Sequence, residues 1–269
     1  MAGWRGRLGA SLWGFYYNVP PERHPDLDVA ARTVLGLDSS LGLEVWASKT
    51  LDAPAASGAE MDRLAAVCEQ ASFVTVHVRG VYWHWDPVDL RDEIDFAGRL
   101  NAEILVLHPI CFGLSDRGDR MDVPEIRRIA DCAERRGVML AVENMRDSVW
   151  LLDRVIDEVG DNPATSNVGV CIDIGHAHRS RDAGTGQEIV SNYLDRYAAQ
   201  LVHLHLHGNH GDRDEHLVPG QGTVDWSRVF ATLDRIGFQG SAVLESHQAG
   251  VDPETGIERG LKFLEEQLQ

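Results

Sequence analysis

Cysteine is scarce in this sequence, with four among 269 residues. Cys68, Cys111, Cys132 and Cys171 sit far apart, mostly inside apolar runs, and form no CxxC and no zinc-ribbon spacing. They read as reduced core residues of a cytoplasmic protein, not as a disulfide framework. Apolar runs of about 18 residues are also missing, so neither a transmembrane helix nor a membrane partner is expected. After Met1 the chain reads AGWRGRLGAS, which lacks the long apolar stretch of a signal peptide. Positive charge is in deficit: the formal net charge is −17. Such a surface repels nucleic-acid phosphates, and three bound divalent ions would still leave it clearly acidic. A small-molecule substrate is therefore expected in place of nucleic acid, unless a local basic patch exists. No GxGxxG follows the first apolar run, which removes the dinucleotide-binding fingerprint. Linkers, low-complexity segments and composition shifts are absent too, so residues 1–269 read as one domain.

What is present points to an α/β protein with a sizeable core, since 43% of residues are hydrophobic and 25% charged. Eight apolar, strand-like runs appear: 8–15, 41–47, 73–78, 103–108, 138–144, 168–174, 201–207 and 241–246. Their starts are about 30–35 residues apart, which is one strand plus one crossover helix. The intervening segments carry helix signals. Asp86-Pro87 with Asp89, and Asp122 with Pro124 and Glu125, resemble N-terminal caps. Gly137, Gly160 and Gly237 fall where helices should end, and runs such as EIRRIADCAERRG read as solvated helix faces. Eight strands alternating with eight helices predict a (β/α)8 TIM barrel, which typically needs about 250 residues. A doubly wound open sheet is the alternative.

Metal-competent residues recur at the downstream ends of these runs. His77 ends the third, His108 the fourth, Glu143 the fifth and Asp173 the sixth, with His176 three residues on. The seventh carries His203, His205 and His207, and Glu245 ends the eighth. The loop after the seventh adds Asp214 and His216. In a barrel, these ends converge on one face. A lone strand-end histidine is more often structural than a ligand, and a lone buried carboxylate is costly. Six consecutive strands ending this way need a cation to neutralise the carboxylates. Mixed oxygen and imidazole donors suit manganese, cobalt, zinc or iron(II), and no organic cofactor is expected. A centre of Glu143, Asp173, His205 and Glu245 would leave positions open for a substrate's adjacent oxygens. His77, His108, His176, Asp214 and His216 would then bind further metals or the substrate. Trp13, Trp46, Trp83 and Trp85, with Phe15, fall at or beyond strand ends, where they either face the ring of a substrate or plug the rim. The YWHWDP stretch is expected to cover the site. His84, His178 and His247 lie near the same face, whereas His210 reads as solvated.

From GLEVW through LHP, VEN, DIGHA and HLHLHGN to DEHLVPGQGTVDW and LES, the chain resembles the xylose isomerase-like barrel superfamily. That group holds sugar isomerases and epimerases, inositol-catabolism enzymes and endonuclease IV. Resemblance to the ketose epimerases implies one metal on Glu143, Asp173, His205 and Glu245. It also makes Glu143 and Glu245 the catalytic acid–base pair, acting on a polyhydroxy carbonyl substrate. Resemblance to endonuclease IV implies three zinc ions on nine residues, all of which have a match: His77, His108, Glu143, Asp173, His176, His205, Asp214, His216 and Glu245. A zinc phosphodiesterase, including an abasic-site endonuclease, is therefore the competing function. Against it stand the acidic charge, GQG where the endonuclease pattern favours GEG, and the lack of clear basic DNA-binding loops. A non-catalytic binding barrel, a lyase and an oxygenase use the same face. Substrate identity and oligomeric state, a homo-oligomer included, stay open at this level.

Overall fold

In the computed structural model, which describes residues 3–17, 19–47, 58–78, 90–115, 118–160, 162–184 and 186–268, each apolar run contains a strand. These are β1 Leu8–Ser11, β2 Gly42–Trp46, β3 Val74–His77, β4 Ile104–Leu107, β5 Met139–Glu143, β6 Val168–Asp173, β7 Leu201–Leu206 and β8 Ser241–Leu244. All pair in parallel with their sequence neighbours, and β1 pairs with both β2 and β8, so the sheet closes into an eight-stranded barrel. The first run is shorter than its apolar length suggests. The Ser11 side chain accepts a hydrogen bond from the Trp13 backbone N–H at 3.4 Å and turns the chain into a 3-10 helix over Leu12–Phe15.

Among the described residues, eight longer helices surround the strands: α1 Leu27–Leu37, α2 Gly58–Cys68, α3 Arg91–Arg99, α4 Val123–Arg135, α5 Val149–Val159, α6 Ile189–Arg196, α7 Trp226–Ile236 and α8 Pro253–Leu268. Asp122 caps α4 by accepting from the Glu125 N–H at 3.0 Å, which satisfies one of the orphan donors of the first turn. The pair Asp86-Pro87 lies outside the described residues. Three smaller elements were not anticipated: a two-stranded antiparallel pair, Leu114–Ser115 with Gly118–Asp119, and short helices at Pro163–Ser166 and Ile174–Arg179.

Most apolar side chains pack between barrel and helices, and a small separate set of Ile104, Val106, Ala141 and Cys171 fills the barrel's lower interior. Because side chains alternate along a strand, the next inward positions on β5 and β6 are Glu143 and Asp173. Register matters most between β6 and β7. Val170 pairs with Leu201, but Cys171 pairs with His203, so β7 carries one extra residue, Val202. This bulge sets Asp173 directly beside His205, the kind of re-aiming that bulges serve near functional sites. The four cysteines are free, with Cys68, Cys111 and Cys171 buried and Cys132 half-buried. No helix among the described residues is long and apolar enough to cross a membrane.

Candidate metal centre

Four strands deliver one donor each to a single point. His205 Nδ1 lies 3.3 Å from Glu143 Oε1, 3.3 Å from Glu245 Oε2 and 3.8 Å from Asp173 Oδ2. All four residues are buried, and neither His205 Nδ1 nor Glu245 Oε2 has a hydrogen-bond partner. Three buried carboxylates gathered together repel one another unless a positive charge sits among them. The donor atoms lie within 4.8 Å of one another, and the orphaned nitrogen and oxygen face into the gap, so a divalent cation fits this group.

The flanking imidazoles are oriented by backbone. His77 Nδ1 donates to the Val78 carbonyl at 2.8 Å, His176 Nδ1 to the Asn144 carbonyl at 3.0 Å, and His216 Nδ1 to the Glu245 carbonyl at 2.9 Å. Each bond turns the other ring nitrogen towards a carboxylate. Nε2 of His77 and of His108 both lie 3.1 Å from Glu143 Oε2. Nε2 of His176 lies 3.1 Å from Asp214 Oδ2, and that of His216 3.5 Å from Asp214 Oδ1. Imidazoles that ligate metals are held in this way. Of three further donor groups, one is Cys171/His203/His205, and the other two, His77/His108/Glu143 and His176/His207/Asp214/His216, bring all nine sequence-selected residues together and add His207. Only glycine fits at position 175, because a Cβ there would sit 1.9 Å from His207 Cε1.

Asp214 and His216 reach the rim on a hairpin closed by reciprocal hydrogen bonds between Gly208 and Leu217, at 2.8 and 2.9 Å. His216 pays for its place with a left-handed backbone, φ 45°. Gly222, φ 78°, lets the same loop lie on the Asn209 backbone, where a Cβ would come within 2.2 Å of a carbonyl oxygen. Arg179 adds a 3.2 Å ion pair to Asp214.

Charge in the cleft is strongly interdependent. Burial would raise the Glu143 and Asp173 carboxyls, but facing imidazoles, His205 for the first and His176 and His207 for the second, outweigh it and hold both below the usual carboxylate range. Burial would lower His176, yet Asp173 and Asp214 hold it well above the usual histidine range. For His108 burial prevails and lowers it despite the Glu143 carboxylate.

Beside the centre lies a cavity of about 300 Å³, lined by Trp13, Tyr17, Trp46, Glu245 and His247 among others. Trp13 stacks on Trp46 with centroids 4.1 Å apart, and Trp46 stacks on His77 at 3.9 Å and 8°. Trp46 Nε1 also donates to Ser11 Oγ at 3.1 Å. Trp83, Trp85 and His84 lie outside the described residues. His247 stacks on His216 at 3.8 Å, whereas His178 bonds the Thr223 hydroxyl at 3.0 Å and exposed His210 pairs with Glu215.

Two residues of the site were missed by strand-end reasoning. Asn144 ties β5 to β6, its Oδ1 accepting from the Asp173 N–H at 2.6 Å and its Nδ2 donating to the Asp173 carbonyl at 3.1 Å. Glu44 lies under His205, with Oε2 3.1 Å from Nε2. Its signal was a lone carboxylate in the middle of an apolar strand, GLEVW.

Residues 39–267 match the family described as Xylose isomerase-like TIM barrel. An uncharacterized protein of Methanocaldococcus jannaschii is 30% identical over 166 residues, covering 58% of this chain and 55% of its own, so the chain spans about half the length of that relative. An uncharacterized protein of Mycobacterium leprae is 31% identical over 209 residues, covering 67% and 71%. A Thermoplasma volcanium protein named probable endonuclease 4 is 26% identical over 191 residues, covering 66% and 64%. Among solved structures, L-ribulose 3-epimerase superposes with TM-score 0.73 at 13% identity, covering 97% and 94%. The 3-keto-D-glucoside 4-epimerase of E. coli gives 0.68 at 17%, covering 97% and 99%. At these identities the structural likeness shows the fold.

Proposed function

The chain belongs to the xylose isomerase-like TIM barrel family, and we propose that it is a metal-dependent isomerase or epimerase of a sugar or related polyhydroxy carbonyl compound. The observation that carries this reading is the placement of Glu143 and Glu245, which approach His205 Nδ1 at 3.3 Å each, from β5 and β8. A divalent ion at that centre, whether manganese, cobalt, zinc or iron(II), supplies Lewis acidity towards a carbonyl and a neighbouring hydroxyl. The two glutamates divide the proton work, one taking the proton from the carbon beside the carbonyl and the other returning one to the opposite face. Glu143 is the more constrained, because His77 and His108 both face its Oε2. Glu245 would present its unbonded Oε2 to the cation and keep its other oxygen for the role of base. Trp13 would offer an apolar wall to a sugar ring, backed by Trp46, whose two faces are taken by Trp13 and His77. Glu245→Gln should abolish solvent deuterium incorporation beside the carbonyl across a panel of keto sugars, read by NMR, with the circular dichroism spectrum retained. Exchange at the wild-type rate would sink the proposal.

A second reading is favoured by one observation, the three adjoining donor groups that share Glu143 or sit beside it. One divalent ion offsets only two of the four charges on buried Glu44, Glu143, Asp173 and Glu245. Further cations would suit a phosphodiesterase, in which several ions clamp a phosphate. Elemental analysis of protein purified without chelator separates the two. About one ion per chain supports the isomerase, and about three per chain with phosphodiester cleavage supports the alternative.

A further inference from the structure

Glu44 holds no place in the donor groups and lies one layer deeper in the barrel. It is fully buried on β2. Its Oε2 accepts from His205 Nε2 at 3.1 Å, His203 Nε2 at 3.2 Å and Thr75 Oγ1 at 3.1 Å, while Oε1 has no partner. Burying a carboxylate with one oxygen unmatched is costly, and a glutamine would fill the same space without the charge.

An ionised carboxylate can only accept, so both imidazoles must present Nε2–H to it. For His203 the remaining nitrogen, Nδ1, then accepts from the Ser241 hydroxyl at 2.8 Å. For His205 the remaining nitrogen is Nδ1, the orphaned atom that faces Glu143 and Glu245. We propose that Glu44 is a positioning residue that fixes the His205 tautomer and makes its Nδ1 a stronger donor to the cation. Thr75, His203 and Ser241 hold Glu44 in the required pose. Three links run in sequence: Ser241 on β8 orients His203, His203 and Thr75 on β3 orient Glu44, and Glu44 orients the His205 nitrogen on β7. Carboxylate–imidazole pairs of this kind change metal affinity by about 10- to 100-fold when broken.

This inference rests on the metal centre of the proposed function and not on its substrate. The test is titration of chelator-stripped protein with Mn2+ or Co2+, followed by calorimetry, for wild type, Glu44→Gln and Glu44→Asp. Glu44→Gln should bind about 10- to 100-fold more weakly, with an altered Co2+ absorption spectrum and a metal-free melting transition that stays cooperative. Glu44→Asp, which keeps the charge but withdraws it by one methylene, should fall between. Glu44→Gln binding within twofold of wild type, with the wild-type spectrum, overturns the role. Should that variant not fold, Glu44→Asp is decisive, and wild-type affinity there overturns it equally. A wild-type protein that binds neither ion brings down the metal reading itself, which separates the two failures.

Discussion

Cys68, Cys111 and Cys171 are sealed in apolar surroundings, and burial pushes each thiol up to about 12 from an ordinary value of 9.0. Two outcomes follow from that shift. A thiol reagent at pH 8 should find at most one accessible group in the native protein, half-buried Cys132, and four after denaturation. Three fast-reacting thiols in the native state would contradict the buried placement. The alkaline response has a definite sign. Below 9 the thiols are protonated in both states and their contribution is fully present. As pH rises towards about 12 the unfolded chain ionises first, so stability is progressively lost across that window. Among the clustered metal-competent side chains, what the residues disclosed was identity, not orientation. His77, His176 and His216 could be selected because each closes or follows an apolar run, but the carbonyls of Val78, Asn144 and Glu245 that turn their rings leave no mark in the residue types.

Strands were legible because period and β-branched composition agree over every run, and the side chains selected at their ends lie together in the barrel. Ser11 shows where that reasoning overreaches, since its hydroxyl ends β1 inside an unbroken apolar run. Glu44 is hidden for the opposite reason: strand ends mark a barrel's active face, and this carboxylate sits mid-strand, one inward position before Trp46. The Leu114–Ser115 and Gly118–Asp119 pair is two residues on each side, too short for any periodicity. Helix signals were firmer. Asp122 was read as a cap, and it accepts the Glu125 N–H. Asp122→Ala should cost about 1 kcal/mol and lower the melting temperature by about 2–4 °C. Calorimetric Mn2+ affinity should be unchanged, because α4 supplies no donor to the centre. A loss of affinity in step with stability would show that the rim and this helix are not independent.

For the molecule as a whole, the cleft gathers buried carboxylates where water screens them poorly. A cation that binds only the folded chain stabilises it by about 2.7 kcal/mol at a hundredfold excess over Kd. Chelator treatment should therefore lower the melting temperature by about 5–10 °C, with recovery on adding Mn2+ or Co2+. An unchanged melting temperature would argue that no ion was held. The closure of β1 onto β8 adds a consequence in time. Glu44 arrives from the second strand and Glu245 from the last, so the centre draws on partners some two hundred positions apart along the chain. Such distant pairings form late, after the local helices. A nascent or truncated polypeptide lacking β8 can thus be rich in helix and still not assemble the group of Glu143, Asp173, His205 and Glu245.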